Sequence, residues 1–118
     1  MSRILLVDDD SDHLRLFTMI LEDGGYSVDA YTDPVAALLR FRPDYYDVAV
    51  LDYIMPDLNG LELYRRILEI DPRCSIITAT NEKFSEDEDN PQGQRNLRVI
   101  RKPIGNEELL MNINSILK

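Results

Sequence analysis

The sequence predicts an α/β domain built on a parallel sheet, and three observations predict it. Short apolar blocks rich in β-branched residues alternate with stretches of helical period along most of the chain, the pattern of strands joined by crossover helices. The first block, Ile4-Leu5-Leu6-Val7, is uninterrupted by polar residues, as a strand buried on both faces requires. The length, 118 residues with 44% hydrophobic content, suits one core and is short for two. No repeat or linker divides the chain, so residues 1–118 are read as one domain.

Each element follows in order. Ile4 to Val7 is the first strand, and Leu14, Phe17, Ile20 and Leu21 then recur at helical spacing up to a stop at Gly24-Gly25. Tyr26 to Tyr31 reads as a more polar second strand. Asp33-Pro34 supplies an N-cap with proline at the first helical position, and a helix from Val35 to Phe41 follows. Asp47 to Asp52 is the third strand and ends in a carboxylate. A loop from Tyr53 to Asn59 carries Pro56, and Gly60 opens a helix with Leu61, Tyr64, Ile67 and Leu68 on one face. Cys74 to Ala79 is the fourth strand, with Cys74 in the core.

The alternation falters from Glu82 to Gln94. Glu86-Asp87-Glu88-Asp89, Asn90-Pro91 and Gly93 leave Phe84 as the one apolar residue there, so the fourth crossover helix is expected to be short, irregular or disordered. Leu97 to Ile100 forms a fifth strand closed by Lys102-Pro103. Asn106 then caps a last helix with Leu109, Leu110, Ile113, Ile116 and Leu117 as its stripe. Met19, Met55 and Met111 are assigned to packing positions.

Twenty-two acidic and 13 basic side chains give a formal net charge of −9, which argues against nucleic acid or an anionic membrane as partner. No apolar run approaches the ~20 residues that span a bilayer, and MSRILLVDDD does not read as a signal peptide. The one cysteine, Cys74, cannot form an internal disulfide, and a cytoplasmic location is expected. The basic residues Arg95, Arg98, Arg101 and Lys102 read as local counter-charge to the acidic run before them. His13, the only histidine, reads as a solvent-facing or partner-docking residue rather than a metal ligand.

Ligands of open parallel sheets bind at the carboxyl ends of the strands. In this sequence those ends carry Asp8-Asp9-Asp10, Asp52, Thr80 and Lys102-Pro103. Crowded carboxylates repel and call for a cation, and oxygen-only donors favour a hard ion such as Mg²⁺. A lysine and a threonine beside a metal-bound carboxylate are the parts that hold a phosphoryl group. The residues alone therefore indicate Mg²⁺-dependent phosphoryl chemistry on a carboxylate. Each piece alone has an ordinary explanation, Asp8 to Asp10 as a helix-capping turn and Asp52 as a turn residue. Their joint placement on one rim is what those explanations leave unaccounted for.

These motifs resemble those of the receiver domain, the phosphoacceptor module of two-component response regulators in the CheY-like superfamily, over essentially the whole chain. The resemblance rests on Ile4 to Asp10, on Leu51-Asp52-Tyr53-Ile54-Met55-Pro56-Asp57-Leu58-Asn59-Gly60, and on Ile100-Arg101-Lys102-Pro103. It implies a (βα)5 flavodoxin-like, doubly wound parallel sheet in strand order 2-1-3-4-5. It also implies Asp52 as the phosphoacceptor, Asp9 as a direct Mg²⁺ ligand, Asp8 as a ligand mostly through water, and the backbone carbonyl of Ile54 as a further ligand. Lys102 would hold the phosphoryl group and Thr80 would be the switch hydroxyl. The Asp52-to-Thr80 separation equals the family's usual one, whereas Thr78 would need a deletion. The implied partners are a sensor histidine kinase or histidine phosphotransfer protein and a downstream protein target. The implied role is a stand-alone signalling phosphoacceptor, not an enzyme beyond its own phosphotransfer and slow autodephosphorylation.

Some positions depart from the family pattern. Ile54 and Glu82, each two residues past a site residue, form the pair that controls autodephosphorylation in the family, and isoleucine cannot orient a water. Asn81 follows the switch hydroxyl where a small residue is usual. Val99 stands where many members carry a switch aromatic. With the weak fourth helix, these changes point to an altered switch or to onward phosphotransfer as the output. A haloacid-dehalogenase-like phosphatase with Asp8 as nucleophile is the alternative enzyme reading, although the acidic motif it needs after the fourth strand is missing. A receiver-like scaffold that is never phosphorylated is a further alternative. An EF-hand reading of Asp8-x-Asp10-x-Asp12 fails, because His13 and Met19 stand where glycine and glutamate are required.

Overall fold

Ile4, Leu5, Leu6 and Val7 are all at most 1% exposed, and the layers around them explain why this run carries no polar residue. The computed structural model describes residues 2–52, 58, 60–80, 97–101 and 105–117, with Thr80 and Arg101 described by backbone alone. Its elements are β1 (Arg3–Val7), α1 (Ser11–Asp23), β2 (Ser27–Tyr31), α2 (Pro34–Arg40), β3 (Val48–Asp52), α3 (Gly60–Ile70), β4 (Ser75–Thr80), β5 (Leu97–Arg101) and α4 (Asn106–Leu117). The strands pair in parallel in the order β2-β1-β3-β4-β5, the doubly wound order that the sequence resemblance implies.

Alternate side chains of the central strands enter two separate cores. Leu5, Val7, Ala49, Leu51 and Ile76 pack with Ala37 of α2 and with Leu63, Tyr64 and Ile67 of α3. Ile4, Leu6, Val48, Val50, Ile77 and Ile100 pack on the other face with Leu14, Phe17 and Leu21 of α1 and Leu109 and Ile113 of α4. A strand covered on both sides is apolar along its covered length, which is why Ile4 to Val7 and Val48 to Leu51 show no alternation. The edge strand β2 is only partly buried, and its sequence Ser-Val-Asp-Ala-Tyr is correspondingly more polar.

The helix ends follow from local chemistry. Asp33 caps α2, its carboxylate accepting from the Val35 N–H at 3.0 Å, with Pro34 at the first helical position. At the end of α1 the N–H groups of Gly25 and Tyr26 bond to the carbonyls of Glu22 and Leu21, the paired bonds of a Schellman cap. That cap places Gly25 at φ +97°, where a side chain would be strained. The Tyr26 hydroxyl donates to Asn114, tying the turn to α4. At the opposite end of the sheet, buried Asp71 accepts from the Asp44 N–H at 2.9 Å and the Arg73 N–H at 3.0 Å, so its charge is not left bare. Neighbouring Cys74 is in the core as expected. Burial, with Asp71 and Asp47 nearby, pushes its thiol up to about 12 and keeps it protonated.

The placement of Met19 and Met111 and the start of the last helix differ from expectation. Met19 and Met111 are 62% and 69% exposed, because each lies two residues past a buried position, Phe17 or Leu109, and so points away from the core side of its helix. Gly105 stands at the cap position of the last helix, its carbonyl accepting the first intrahelical bond from the Leu109 N–H at 3.0 Å, so Asn106 is the first helical residue and not the cap. The segment from Glu82 to Gln94 and Met55 lie outside the described residues.

Candidate functional site

Because β1 and β3 are neighbours, with Val7 paired to Leu51, the residues Asp8 and Asp52 stand side by side where the two strands end. The strand alternation puts both on the α1/α4 side of the sheet, in line with Ile4 and Leu6 and with Val48 and Val50. The Asp8 N–H continues the ladder to the Tyr31 carbonyl at 3.1 Å, holding the backbone extended. Asp8 is 4% exposed, Asp52 is 9% exposed and Asp9 is exposed. One carboxylate oxygen from each of Asp8, Asp9 and Asp52 lies within 4.8 Å of the others.

Asp10 takes a different part. Its Oδ1 accepts from the N–H groups of Asp12 at 3.0 Å and His13 at 3.3 Å, capping α1. Its own N–H donates to Asp8 Oδ1 at 2.9 Å and orients that carboxylate. The ordinary capping explanation therefore holds for Asp10, and Asp8 and Asp9 are left to converge on Asp52. Three carboxylates so close repel one another, and an all-oxygen donor set of this kind fits a hard divalent cation such as Mg²⁺.

Asp52 pairs with Ala79, and the next residue of β4, Thr80, pairs with Arg101. The Thr80 backbone thus lies at the same sheet edge, one step past the partner of Asp52. Thr78 pairs with Leu51 and is 2% exposed. It lies two residues deeper in β4 than Thr80, inside the sheet and short of the end where Asp52 stands. Val99 is half-buried opposite Thr78. Ile54, Asn81, Glu82 and Lys102 lie outside the described residues.

His13 is nearer the site than its sequence context suggests. Its side chain is 48% exposed, in keeping with a solvent-facing residue, yet Nδ1 stands 3.9 Å from Asp8 Oδ2 and 3.9 Å from Asp10 Oδ2. The available signal was its position three residues past the cap, which puts it on the first turn of α1, over the strand ends.

Comparison with known proteins agrees with the geometry. A family model described as the response regulator receiver domain matches residues 4–114. The response regulator receiver protein CpdR of Brucella abortus is 33% identical over 120 residues, covering 99% of this chain and 98% of its own. Response regulator ArlR of Staphylococcus aureus is 33% identical over 119 residues and covers 100% of this chain and 53% of its own, so the chain spans about half of that relative. Among solved structures, a CheY-like receiver domain protein from Methanospirillum hungatei superposes with a TM-score of 0.89 at 28% identity, covering 99% of this chain and 94% of that one.

Proposed function

The chain belongs to the response regulator receiver domain family, and from that membership we propose that residues 1–118 form a single phosphoacceptor domain in which Asp52 accepts a phosphoryl group in a Mg²⁺-dependent reaction. The observation that carries this reading is the convergence of Asp8, Asp9 and Asp52, with carboxylate oxygens within 4.8 Å of one another. The donor is a sensor histidine kinase or a histidine phosphotransfer protein, and the output is a contact with a downstream protein. The domain is a signalling phosphoacceptor rather than a turnover enzyme. A cytoplasmic location goes with this reading, since the kinase draws on ATP. Among the described residues no helix is long and apolar enough to cross a membrane.

Asp8, Asp9, Asp52 and the Ile54 carbonyl are the groups that would hold Mg²⁺. When bound, the ion neutralises charge on the oxygens of the transferring phosphoryl group. Asp52 is the nucleophile: a carboxylate oxygen forms the new O–P bond as the P–N bond to the donor imidazole breaks, the electron pair returning to that nitrogen. The Asp10 N–H keeps Asp8 oriented throughout. Lys102 neutralises a phosphoryl oxygen from the end of β5. Thr80 supplies the hydroxyl that moves toward the acyl phosphate, which makes the loops after β3 and β4 a two-state element biased by a covalent ligand. The terminal register position of Thr80 supports it over the internal Thr78. Val99 offers no ring to swing with that hydroxyl, so the switch either works without one or yields to onward phosphotransfer. Unchanged hydrogen exchange over residues 82–96 on phosphorylation would count against coupling through that segment.

Incubation with acetyl phosphate and Mg²⁺, read by intact mass, tests the reading. The expected gain is one phosphoryl group that requires Mg²⁺ and is absent in Asp52→Asn. No adduct from acetyl phosphate or from a phosphorylated histidine carrier contradicts it. With Ile54 unable to orient a water and Glu82 as its paired position, the phosphorylated form is expected to be long-lived. Ile54→Asn should shorten its lifetime, and an unchanged lifetime would remove that role from Ile54.

A further inference from the structure

α1 is apolar on two sides. Leu14, Phe17 and Leu21 enter the core, and Leu16, Met19 and Ile20 form a second stripe at the i, i+3, i+4 spacing of one helix face. Leu16 is 44% exposed, Met19 is exposed and Ile20 is half-buried. These three side chains, with Glu22 and Asp23, line a shallow concavity on the outside of the helix. α4 packs alongside: a Cβ at Gly24 would stand 2.8 Å from Leu110 Cδ2, and Asn114 is bonded to the Tyr26 hydroxyl. Next to Leu110, Met111 adds another exposed apolar side chain. The charges on this flank are of one sign. α1 and α4 carry Asp12, Glu22, Asp23, Glu107 and Glu108, all exposed, and Arg15 is their one arginine or lysine among the described residues. Among the described residues none of the five carboxylates is in an ion pair.

We propose that this flank docks a basic amphipathic helix of another protein, its apolar side laid on Leu16, Met19 and Ile20 and its lysines or arginines set against the acidic rim. An apolar surface bordered by polar residues marks a contact, methionine adapts its shape to an apolar partner, and two packed helices offer the groove that takes a third. The unbalanced charge selects a cationic occupant and disfavours a second copy of a chain whose net charge is −9. The stripe runs down the flank of the domain. Met19 is eight residues past Ser11, about 12 Å along the axis from the end of α1 that meets the aspartates. The occupant therefore leaves Asp8, Asp9 and Asp52 open, and a docked helix and a phosphoryl donor can be bound together.

Titration of the ¹⁵N-labelled chain with a synthetic amphipathic helix of leucine and lysine, followed by amide chemical shifts, tests this. Saturable shifts should cluster in α1 and α4. The double variants Leu16→Ser/Met19→Ser and Glu22→Gln/Asp23→Asn should each weaken binding by about tenfold, whereas Glu62→Gln/Glu69→Gln on α3 should leave it unchanged. A peptide of the same composition with its leucines scattered should also bind about tenfold more weakly. Acetyl phosphate should still modify the chain at saturating peptide. No binding, shifts spread over other faces or centred on the strand-end aspartates, equal binding of the scattered peptide, or equal effects of the α1 and α3 variants would overturn the docking site. Loss of the phosphoryl adduct only when peptide is bound would overturn the independence of the two sites. The adduct without peptide is read separately, so a failure of docking leaves the phosphoacceptor reading standing.

Discussion

Asp8 is an ionisable group with 4% exposure, and one of its oxygens is accounted for by the Asp10 N–H. Its closeness to Asp9 and Asp52 sets like charges against one another, a repulsion that a bound cation would relieve. Asp8→Asn keeps the size of the side chain and an acceptor for that N–H while removing one of the three charges. In metal-free buffer the variant should be more stable than the wild type by on the order of 1 kcal/mol, and Mg²⁺ should raise its urea midpoint less. A variant that is less stable without Mg²⁺ would mean that Asp8 is held by attraction, not crowded by repulsion. At this scale the sequence was legible for the aspartates, whose residue type states their chemistry. It was silent on the division of labour between Asp10 and its neighbours, because three consecutive aspartates become a cap and two site residues only once α1 sets its direction.

Local chemistry marks where an element begins or ends, and those marks were readable. Asp33-Pro34 and Gly24-Gly25 each satisfy or terminate backbone groups within a few residues, so the cap of α2 and the stop of α1 need no tertiary information. Gly25 at φ +97° carries the second of these. Gly25→Ala should lower stability by about 1–2 kcal/mol in thermal or denaturant melts, and an unchanged midpoint would mean that the turn relaxes to another cap. What did not carry over was helical phase for flexible residues. Met19 and Met111 are hydrophobic by type, but only their place around the helix decides that they face solvent. Asn106 was read as the cap by residue type, whereas the glycine at the cap position has no side chain to mark it.

Across the whole molecule, the strand order does the assembling. Asp8 and Asp52 are far apart in sequence, and nothing in their spacing says that they meet. They meet because β1 and β3 are adjacent at the centre of the sheet and both end at the same edge. Composition and periodicity predicted the parallel sheet, whereas its order came from the family resemblance and is now visible in the register. Part of the net charge of −9 is thereby located: an acidic site at one edge of the sheet, and a partnered Asp71 at the other. The same placement sets Asp8 beside Asp52, and the haloacid-dehalogenase-like reading, with Asp8 as nucleophile, gives way to membership of the receiver family. Asp10, two residues past Asp8 and the residue that reading would need as its acid, is engaged in capping α1.

Mapping the phosphoryl adduct tests which of the two carboxylates reacts. After reaction with acetyl phosphate and Mg²⁺, reduction with borohydride converts the acyl phosphate to an alcohol that peptide mass spectrometry can locate. The expected result is homoserine at position 52 and unmodified aspartate at position 8; modification at position 8, or none at either, would contradict the assignment of Asp52 as phosphoacceptor.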